Sequence, residues 1–391
     1  MVLGGMTRLG GVLSEPQNQI KHRSLSDPSV KTRIFTVSCL RAVKVVGPFE
    51  SRRCLLWGPI PDCRRPRFSE RRCSAVYYWE AIMIGIKNIA SYVPAAGVDN
   101  YAQGAKFDKD ETFILGKIGS AFLPRKGAEQ ETSDLCVEAV NALFAASPEL
   151  KRESIDCLIV VTQNGDEEGL PHTAAIVQDK LGLPTHVAAF DISLGCSGYV
   201  YGIYALKGFM EATGLKNGLL VTADPYSKIV DPEDRNTTML FGDAATATWM
   251  GENAIWQLGK SKFGTDGSGA PHLKVSDGVF FMNGRQVFNF ALLKVPAHLH
   301  ELLDESNLQA GDIDAFCIHQ GSAAIVDAVA RRFDEGGSAT FVKDMLETGN
   351  TVSSSIPLLL QNHVFDSKWT RVAISGFGVG LSWGSAILYR G

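Results

Sequence analysis

IDCLIVVTQ (155–163) and IDAFCIHQ (313–320) carry the reading of the fold. Each opens on Ile-Asp, runs on as an apolar stretch and closes on a polar residue followed by Gln. Neither alternates apolar with polar, so each reads as a strand covered on both faces, as in a sheet packed between helices. Around the first copy, TSDLCVEAVNALFAASPEL (132–150) has apolar residues at helical spacing, with Thr132 or Ser133 as N-cap. PHTAAIVQDKLGLP (171–184) is a second helix, VAAFDIS (187–193) a strand, SGYVYGIYALKGFMEATG (197–214) a helix, and NGLLVTAD (217–224) and FGDAATATWMG (241–251) strands. That order predicts a mostly parallel α/β sheet. Around the second copy, FNFALLKVPAHLHELLDESNL (288–308) is amphipathic. RVAISGFGVGLSWGSAILY (371–389) reads strand, sharp turn, strand, echoing LLVTADPYS followed by GDAATATWM. A repeat this long is a duplicated half rather than a solenoid. The expectation is two similar α/β halves packed face to face, residues 83–255 and 256–391.

Composition agrees with a globular chain: 391 residues, 45% hydrophobic and 20% charged. No apolar stretch reaches 18 residues, which excludes a polytopic membrane protein. Eight Cys are too few for a disulfide scaffold, and no CxxC pair occurs. The net charge of −4 hides a split. Residues 1–82 hold 14 Lys and Arg, 11 of them Arg, against 6 Asp and Glu, a balance of +8. The remainder holds 24 against 36, or −12. A nucleic-acid arm would interleave more aromatics than Trp57 and Phe68, and a transit peptide would lack Glu15, Asp27 and Glu50. No apolar segment follows a basic start. Residues 1–82 therefore read as an unstructured, non-catalytic leader outside the fold, with regular order from Met83. No nucleic-acid partner and no membrane insertion are expected, and the expected location is cytoplasmic.

Cys136, Cys157 and Cys317 sit inside apolar runs and read as small buried hydrophobes. Cys196 differs: it follows a buried-type strand through the turn SLGCSG and immediately precedes a long helix. Gly195 and Gly198 let the backbone turn sharply, and the helix start offers free N–H groups and a positive dipole end that favour thiolate. A structural Cys can occupy the same turn, and the residues leave both readings open. His319 ends its strand at the carboxyl edge of the sheet, and Asn350 lies in the Gly-flanked turn ETGNTVSSSIP; singly, each also reads as a satisfied polar residue or a turn former. The other His, including His172, His298 and His300, read as surface-like, and no HExxH metal pattern occurs. GFGVGLSWG fails GxGxxG and leads into a strand, so it reads as a backbone loop rather than a dinucleotide site. Glu167 and Glu168 read as a solvated acidic loop rather than a general base.

DISLGCSGYVYGIYAL, DPEDRNTTMLFGDAA, IHQ, GNTVSSSIP and GFGVGLSWGSAIL together resemble the β-ketoacyl-acyl carrier protein (ACP) synthases of the third type, over about residues 83–391 and in family order. The resemblance implies a thiolase-like fold of two duplicated α/β halves in five α-β-α-β-α layers, usually a homodimer, with Cys196, His319 and Asn350 as catalytic residues. It implies that Cys196 takes an acyl group from acyl-CoA, with the loop of Gly378, Val379 and Gly380 holding the oxyanion. The acyl group then condenses with malonyl-ACP or malonyl-CoA, with loss of CO₂, in fatty-acid synthesis initiation. No metal or redox cofactor is called for; CoA and phosphopantetheine thioesters are the substrates. An acyltransferase of secondary metabolism, passing the acyl group to another carbon, oxygen or nitrogen, is the alternative; a Cys hydrolase and a non-catalytic binding module rank below it.

Three departures from the family pattern matter. HQGSAAIV replaces the usual HQAN, with Gly321 and Ser322, leaving Arg331 and Arg332 as candidate carrier contacts. The usual early Trp and Arg are absent from ETFILGKIGSAFLPRKG, leaving Lys117, Arg125 and Lys126 as candidate CoA contacts. Leu170 in DEEGLPH aligns with the aromatic that often caps the acyl pocket, which predicts an acyl-pocket role for Leu170 and a medium-chain primer.

Overall fold

Side chains alternate across a strand, and along Cys157–Val161 both faces are buried: Cys157, Ile159 and Val161 enter one apolar core, Leu158 and Val160 another. Ala315–Ile318 repeats the division, with Ala315 and Cys317 joining the first core and Phe316 and Ile318 a third. The structure, a computed structural model, describes residues 83–391; the leader of residues 1–82 lies outside the described residues. The main sheet contains β1 (Gly85–Tyr92), β2 (Cys157–Val161), β3 (Ala188–Ile192), β4 (Asn217–Ala223) and β5 (Ala245–Gly251). It continues with β6 (Trp256–Thr265), β7 (Ala315–Ile318), β8 (Arg371–Gly378) and β9 (Ser382–Arg390). Their spatial order is β7-β8-β9-β6-β1-β5-β4-β2-β3.

The pairing pattern itself repeats. Strand β2 is parallel to β4, β4 antiparallel to β5 and β5 antiparallel to β1. Strand β7 is likewise parallel to β8, β8 antiparallel to β9 and β9 antiparallel to β6. The two sets join through one pairing, Ile86 with Trp256. The predicted mostly parallel sheet is corrected to a mixed one. Parallel neighbours need a long crossover, whereas β9 follows β8 after residues 379–381 alone, and so short a connection can only reverse direction.

The helices that position the site are α1 (Thr132–Ala146), α2 (Thr173–Lys180), α3 (Gly198–Thr213), α4 (Gly284–Ser306), α5 (Ala323–Phe333) and α6 (Ser355–Leu359). The N-cap of α1 is Glu131 rather than the predicted Thr132 or Ser133, and its N–H donates to the Asp134 carboxylate at 2.8 Å. Helices α1 and α2 pack on the outer face of β1–β5, and α4 packs on the outer face of β6, β8 and β9, with α5 against it. Helix α3 touches β2 and β4 on one side and β8 and β9 on the other; α6 bridges the same two strand sets. The result is five layers, α-β-α-β-α, with a buried helical layer in the middle. Tight approach of α3 requires a glycine at its start, because a Cβ on Gly198 would lie 2.4 Å from Val161 Cγ1. Among the described residues, no helix is long and apolar enough to cross a membrane.

Candidate active site

Strands β2, β3 and β4 are mutually parallel, so their carboxyl ends share one edge of the sheet, where ligands of α/β folds are held. Cys196 lies just beyond β3 and ahead of α3. His319 lies just beyond β7, its N–H donating to the Ser375 carbonyl at 2.8 Å. Asn350 is bridged to the segment around Phe241: its N–H donates to Leu240 O at 2.8 Å, and its carbonyl accepts from Gly242 N–H at 3.1 Å. All three line a single cleft whose empty space, open mouth included, is about 760 Å³. Most of the remaining wall is apolar, with Tyr226, Phe241 and Phe280 packed ring to ring at centroid distances of 4.7, 5.0 and 5.4 Å.

Each polar side chain is oriented by a second group. Val352 N–H donates to Asn350 Oδ1 at 2.9 Å, leaving the Nδ2 end toward Gly321 and the cleft. Val352 holds φ at 53°, a left-handed value costly for a β-branched residue, so this turn stores backbone strain where Asn350 is set. His319 Nδ1 lies 2.8 Å from Ser355 Oγ, which leaves Nε2 as the free ring nitrogen. Asp224, fully buried beyond β4, accepts from Gln163 N–H at 2.7 Å and from Ser353 Oγ at 2.5 Å, tying the end of β2 to the turn that carries Asn350.

Burial decides the electrostatics. It pushes the Cys196 thiol up to about 12, reinforced by the Asp224 carboxylate and opposed by the backbone N–H groups of Val379 and Cys196. The predicted thiolate is thereby corrected: loss of water around a sulfur that is 8% exposed outweighs the start of α3. Burial also lowers His319 to about 3, so it is neutral, and raises Asp224 to about 6 against its hydrogen bonds. Gly378 lies directly over the nucleophile position: a Cβ there would stand 2.7 Å from both Cys196 Cβ and Sγ.

The other expectations fare unevenly. Cys136, Cys157 and Cys317 are fully buried. Leu170 is 86% exposed and does not line the cleft of its own chain; it lies on a loop where Glu167, Glu168 and Gly169 are exposed too. His298, read as surface-like, is buried under α4 with Nδ1 2.9 Å from Ser385 Oγ, whereas His300 stacks on Phe333. Arg125 spends its guanidinium on the Phe241 and Thr238 carbonyls, and Lys126 Nζ donates to Gln130 O at 2.7 Å. Lys117, Arg331 and Arg332 are exposed. Ser322 caps α5, its Oγ accepting from Ile325 N–H. Sequence reasoning missed Asp224, Ser355 and the aromatic wall; of these Ser355 and Phe241 lie in segments that carried the resemblance, and Asp224 closes a strand read from the sequence. Among the described residues, no group of three or more His, Cys, Asp and Glu is placed to hold a metal ion.

Residues 190–267 match the family model for 3-oxoacyl-[acyl-carrier-protein (ACP)] synthase III, and residues 303–390 match that of its C-terminal part. The chain is 32% identical over 323 residues to the β-ketoacyl-[acyl-carrier-protein] synthase III of Lactococcus lactis, covering 78% of this chain and 98% of the relative. It is 34% identical over 317 residues to synthase III 1 of Bacillus anthracis, covering 79% and 99%. A crystal structure of the 3-oxoacyl-(acyl-carrier protein) synthase from Burkholderia xenovorans superposes with a TM-score of 0.72 at 31% identity, over 79% of this chain and 94% of that one. With nearly the whole length of these relatives matched, the chain belongs to the β-ketoacyl-acyl carrier protein synthase III family of acyl-transferring condensing enzymes.

Proposed function

We propose that this enzyme takes an acyl group from acyl-CoA onto Cys196 and condenses it with a malonyl thioester, the carrier being ACP, to open fatty-acid synthesis. The observation that carries the reading is convergence: Cys196, His319 and Asn350 come from three separate segments and line one apolar cleft. In the first step the Cys196 sulfur attacks the acyl-CoA carbonyl, its proton passes to His319 Nε2 and on to the departing CoA sulfur, and a new thioester remains. The N–H groups of Cys196 and Val379, both facing the sulfur, suit the oxyanion formed there. In the second step the malonyl carboxylate leaves as CO₂, and its electron pair becomes an enolate stabilised by Asn350 Nδ2 and by His319 in the tautomer that carries its proton on Nε2. The enolate carbon attacks the stored thioester carbon, the Cys196 sulfur departs as thiolate and takes a proton from solvent, and the β-ketoacyl thioester is released. Both steps use side chains and thioesters alone, so no metal or redox cofactor enters.

Exposed Lys117, Arg331 and Arg332 are suited to anionic CoA and carrier protein, while Arg125 and Lys126 brace the neighbouring loop. The segment bearing Lys117 packs on α5, whose start lines the cleft, and Phe288 is shared between the cleft and a groove beside Arg331 and Arg332. The outer edge of β3 carries no strand among the described residues, which supports a homodimer formed across it. We read 83–255 and 256–391 as the two halves, the site lying between them, and a cytoplasmic location fits this chemistry.

Intact-mass analysis with a panel of acyl-CoAs tests the reading, acyl groups longer than acetyl being expected to load. Cys196→Ala should lose the adduct, while His319→Ala and Asn350→Ala should load and then fail to release CO₂ from malonyl-ACP. An adduct retained on Cys196→Ala would overturn the assignment. Loading without CO₂ release from either malonyl-ACP or malonyl-CoA would favour transfer to a different nucleophile, a reading to which the altered Gly321-Ser322 pair lends support.

A further inference from the structure

Between β8 and β9 the loop of residues 379–381 meets Cys196 through its backbone, and its position is set by a buried chain of hydroxyls. Ser382 Oγ donates to the Val379 carbonyl at 2.7 Å. A carbonyl can only accept, so the single Ser382 proton is committed there. Ser197 Oγ, 2.7 Å from Ser382 Oγ, must then be the donor in that contact. The two serines are 1% and 2% exposed. Ser197 directly follows Cys196, and the Val379 N–H faces the Cys196 sulfur. The connections close a ring: Cys196 to Ser197 through the backbone, Ser197 to Ser382, Ser382 to the Val379 carbonyl, and the Val379 N–H back to the sulfur.

We propose that Ser197 and Ser382 are positioning residues whose hydrogen-bonded chain fixes the Val379 N–H at the distance from Cys196 that oxyanion stabilisation requires. The proposal rests on Cys196 being the acyl acceptor. Removing both hydroxyls together leaves only the Val379 carbonyl without its partner, and since Val379 is half-buried the cost to stability is modest. Their value lies in geometry. Val379 offers its carbonyl to Ser382 and its N–H to the sulfur from the two peptide groups that flank its Cα, so holding the carbonyl restricts the backbone rotations through which the N–H could swing away. A donor moved by a fraction of an ångström stabilises an oxyanion poorly while leaving substrate binding intact.

The test uses the full-length protein loaded with an acyl-CoA whose carbonyl carries ¹³C. It reads the thioester carbonyl stretch of the acyl-enzyme by difference infrared spectroscopy, together with kcat and KM for condensation. For the Ser197→Ala/Ser382→Ala double variant we expect near-unchanged unfolding. The carbonyl band should move to higher wavenumber, as its oxygen is less polarised, and kcat should fall about 10- to 100-fold with KM little altered. Ser382→Thr, which keeps the hydroxyl, should restore the band and most of kcat. A double variant that is folded, with band and kcat both unchanged, overturns the proposal while leaving Cys196 as acyl acceptor. No adduct on Cys196 in the unaltered protein overturns that assignment and this proposal together.

Discussion

Gly378→Ala is the smallest change that should separate folding from chemistry. An added Cβ would stand 2.7 Å from Cys196 Cβ and Sγ. Carbon contacts settle at about 3.5–4.0 Å, so about 1 Å must be found by moving either the sulfur or the oxyanion loop. Gly378 is absent from the residues with positive φ, so alanine meets no backbone penalty there. Overpacking of this kind costs about 1–3 kcal/mol of stability, which an enzyme of this size tolerates. A reacting atom displaced by about 1 Å costs about 10²-fold in rate, or about 2.7 kcal/mol of barrier. The assay is the rate at which the mass of the acyl adduct appears after mixing with acyl-CoA, beside a thermal melt. Gly208→Ala is the control, since nothing lies within 4 Å of its added Cβ on exposed α3 surface; it should acylate at the unaltered rate and melt slightly higher. Gly378→Ala acylating as fast as the control would refute the contact between this loop and the nucleophile.

Two buried titratable groups should respond to pH with opposite signs. Asp224 is raised from 3.8 to about 6, so the folded state holds its proton more tightly than the unfolded one. Its contribution to stability is full below the unfolded value and lost as pH rises through about 6, some two units or about 3 kcal/mol. The stability difference between the native protein and Asp224→Asn, measured by denaturant titration, should shrink by about that amount from pH 4 to pH 7; a flat difference would sink this account. Asp224→Asn should also speed alkylation of Cys196 near pH 8, because the carboxylate is one of the causes holding the thiol up. His298 is lowered from 6.5 to about 4 by burial, with Glu301 and Glu305 opposing and Lys262 assisting. Its contribution is present above about pH 6.5 and lost as pH falls through about 4, again about 3 kcal/mol, and His298→Gln should remove that acid sensitivity. An unaltered acid transition in His298→Gln would assign the effect to His319, which is shifted the same way.

What the sequence made legible was whatever local pattern encodes. The strand Cys157–Val161 could be read because a run buried on both faces leaves no polar position, and its echo at Ala315–Ile318 marked the duplication. Strand direction was not encoded in that pattern; it follows from how the chain returns, as at 379–381. Leu170 could be aligned by order along the chain, but that its loop stands exposed on a single chain is a property of the tertiary structure. His298 looked solvated because its helix neighbours are polar, while its own position on α4 faces Ser385 and Trp383. The wall of Tyr226, Phe241 and Phe280 joins segments that have no common periodicity. Asp224 read as the end of a strand, since the partners that give it meaning, Gln163 and Ser353, are 61 and 129 residues away.

The same apolar burial that made the cleft explains why its chemistry is run by neutral groups. A thiol held near 12 and an imidazole held near 3 cannot rest as a thiolate–imidazolium pair at neutral pH. Charge then arises only as bonds change, first on the thioester oxygen and later on the enolate. In a low-dielectric cleft each N–H donor acts more strongly on such charge than it would in water. Once Cys196 is acylated the cleft presents a neutral thioester beside neutral His319 and Asn350, so no fixed negative charge opposes a malonyl carboxylate. In the proposed reaction loss of CO₂ is favoured for the same reason, because an apolar wall would solvate the carboxylate poorly while Asn350 Nδ2 would meet the enolate oxygen. Raising cleft polarity without touching the three residues therefore separates the steps: Phe280→Asn should ease formation of the thiolate, seen as faster alkylation of Cys196, while slowing CO₂ release. Acceleration of both steps together would show that burial hinders this enzyme rather than organising it.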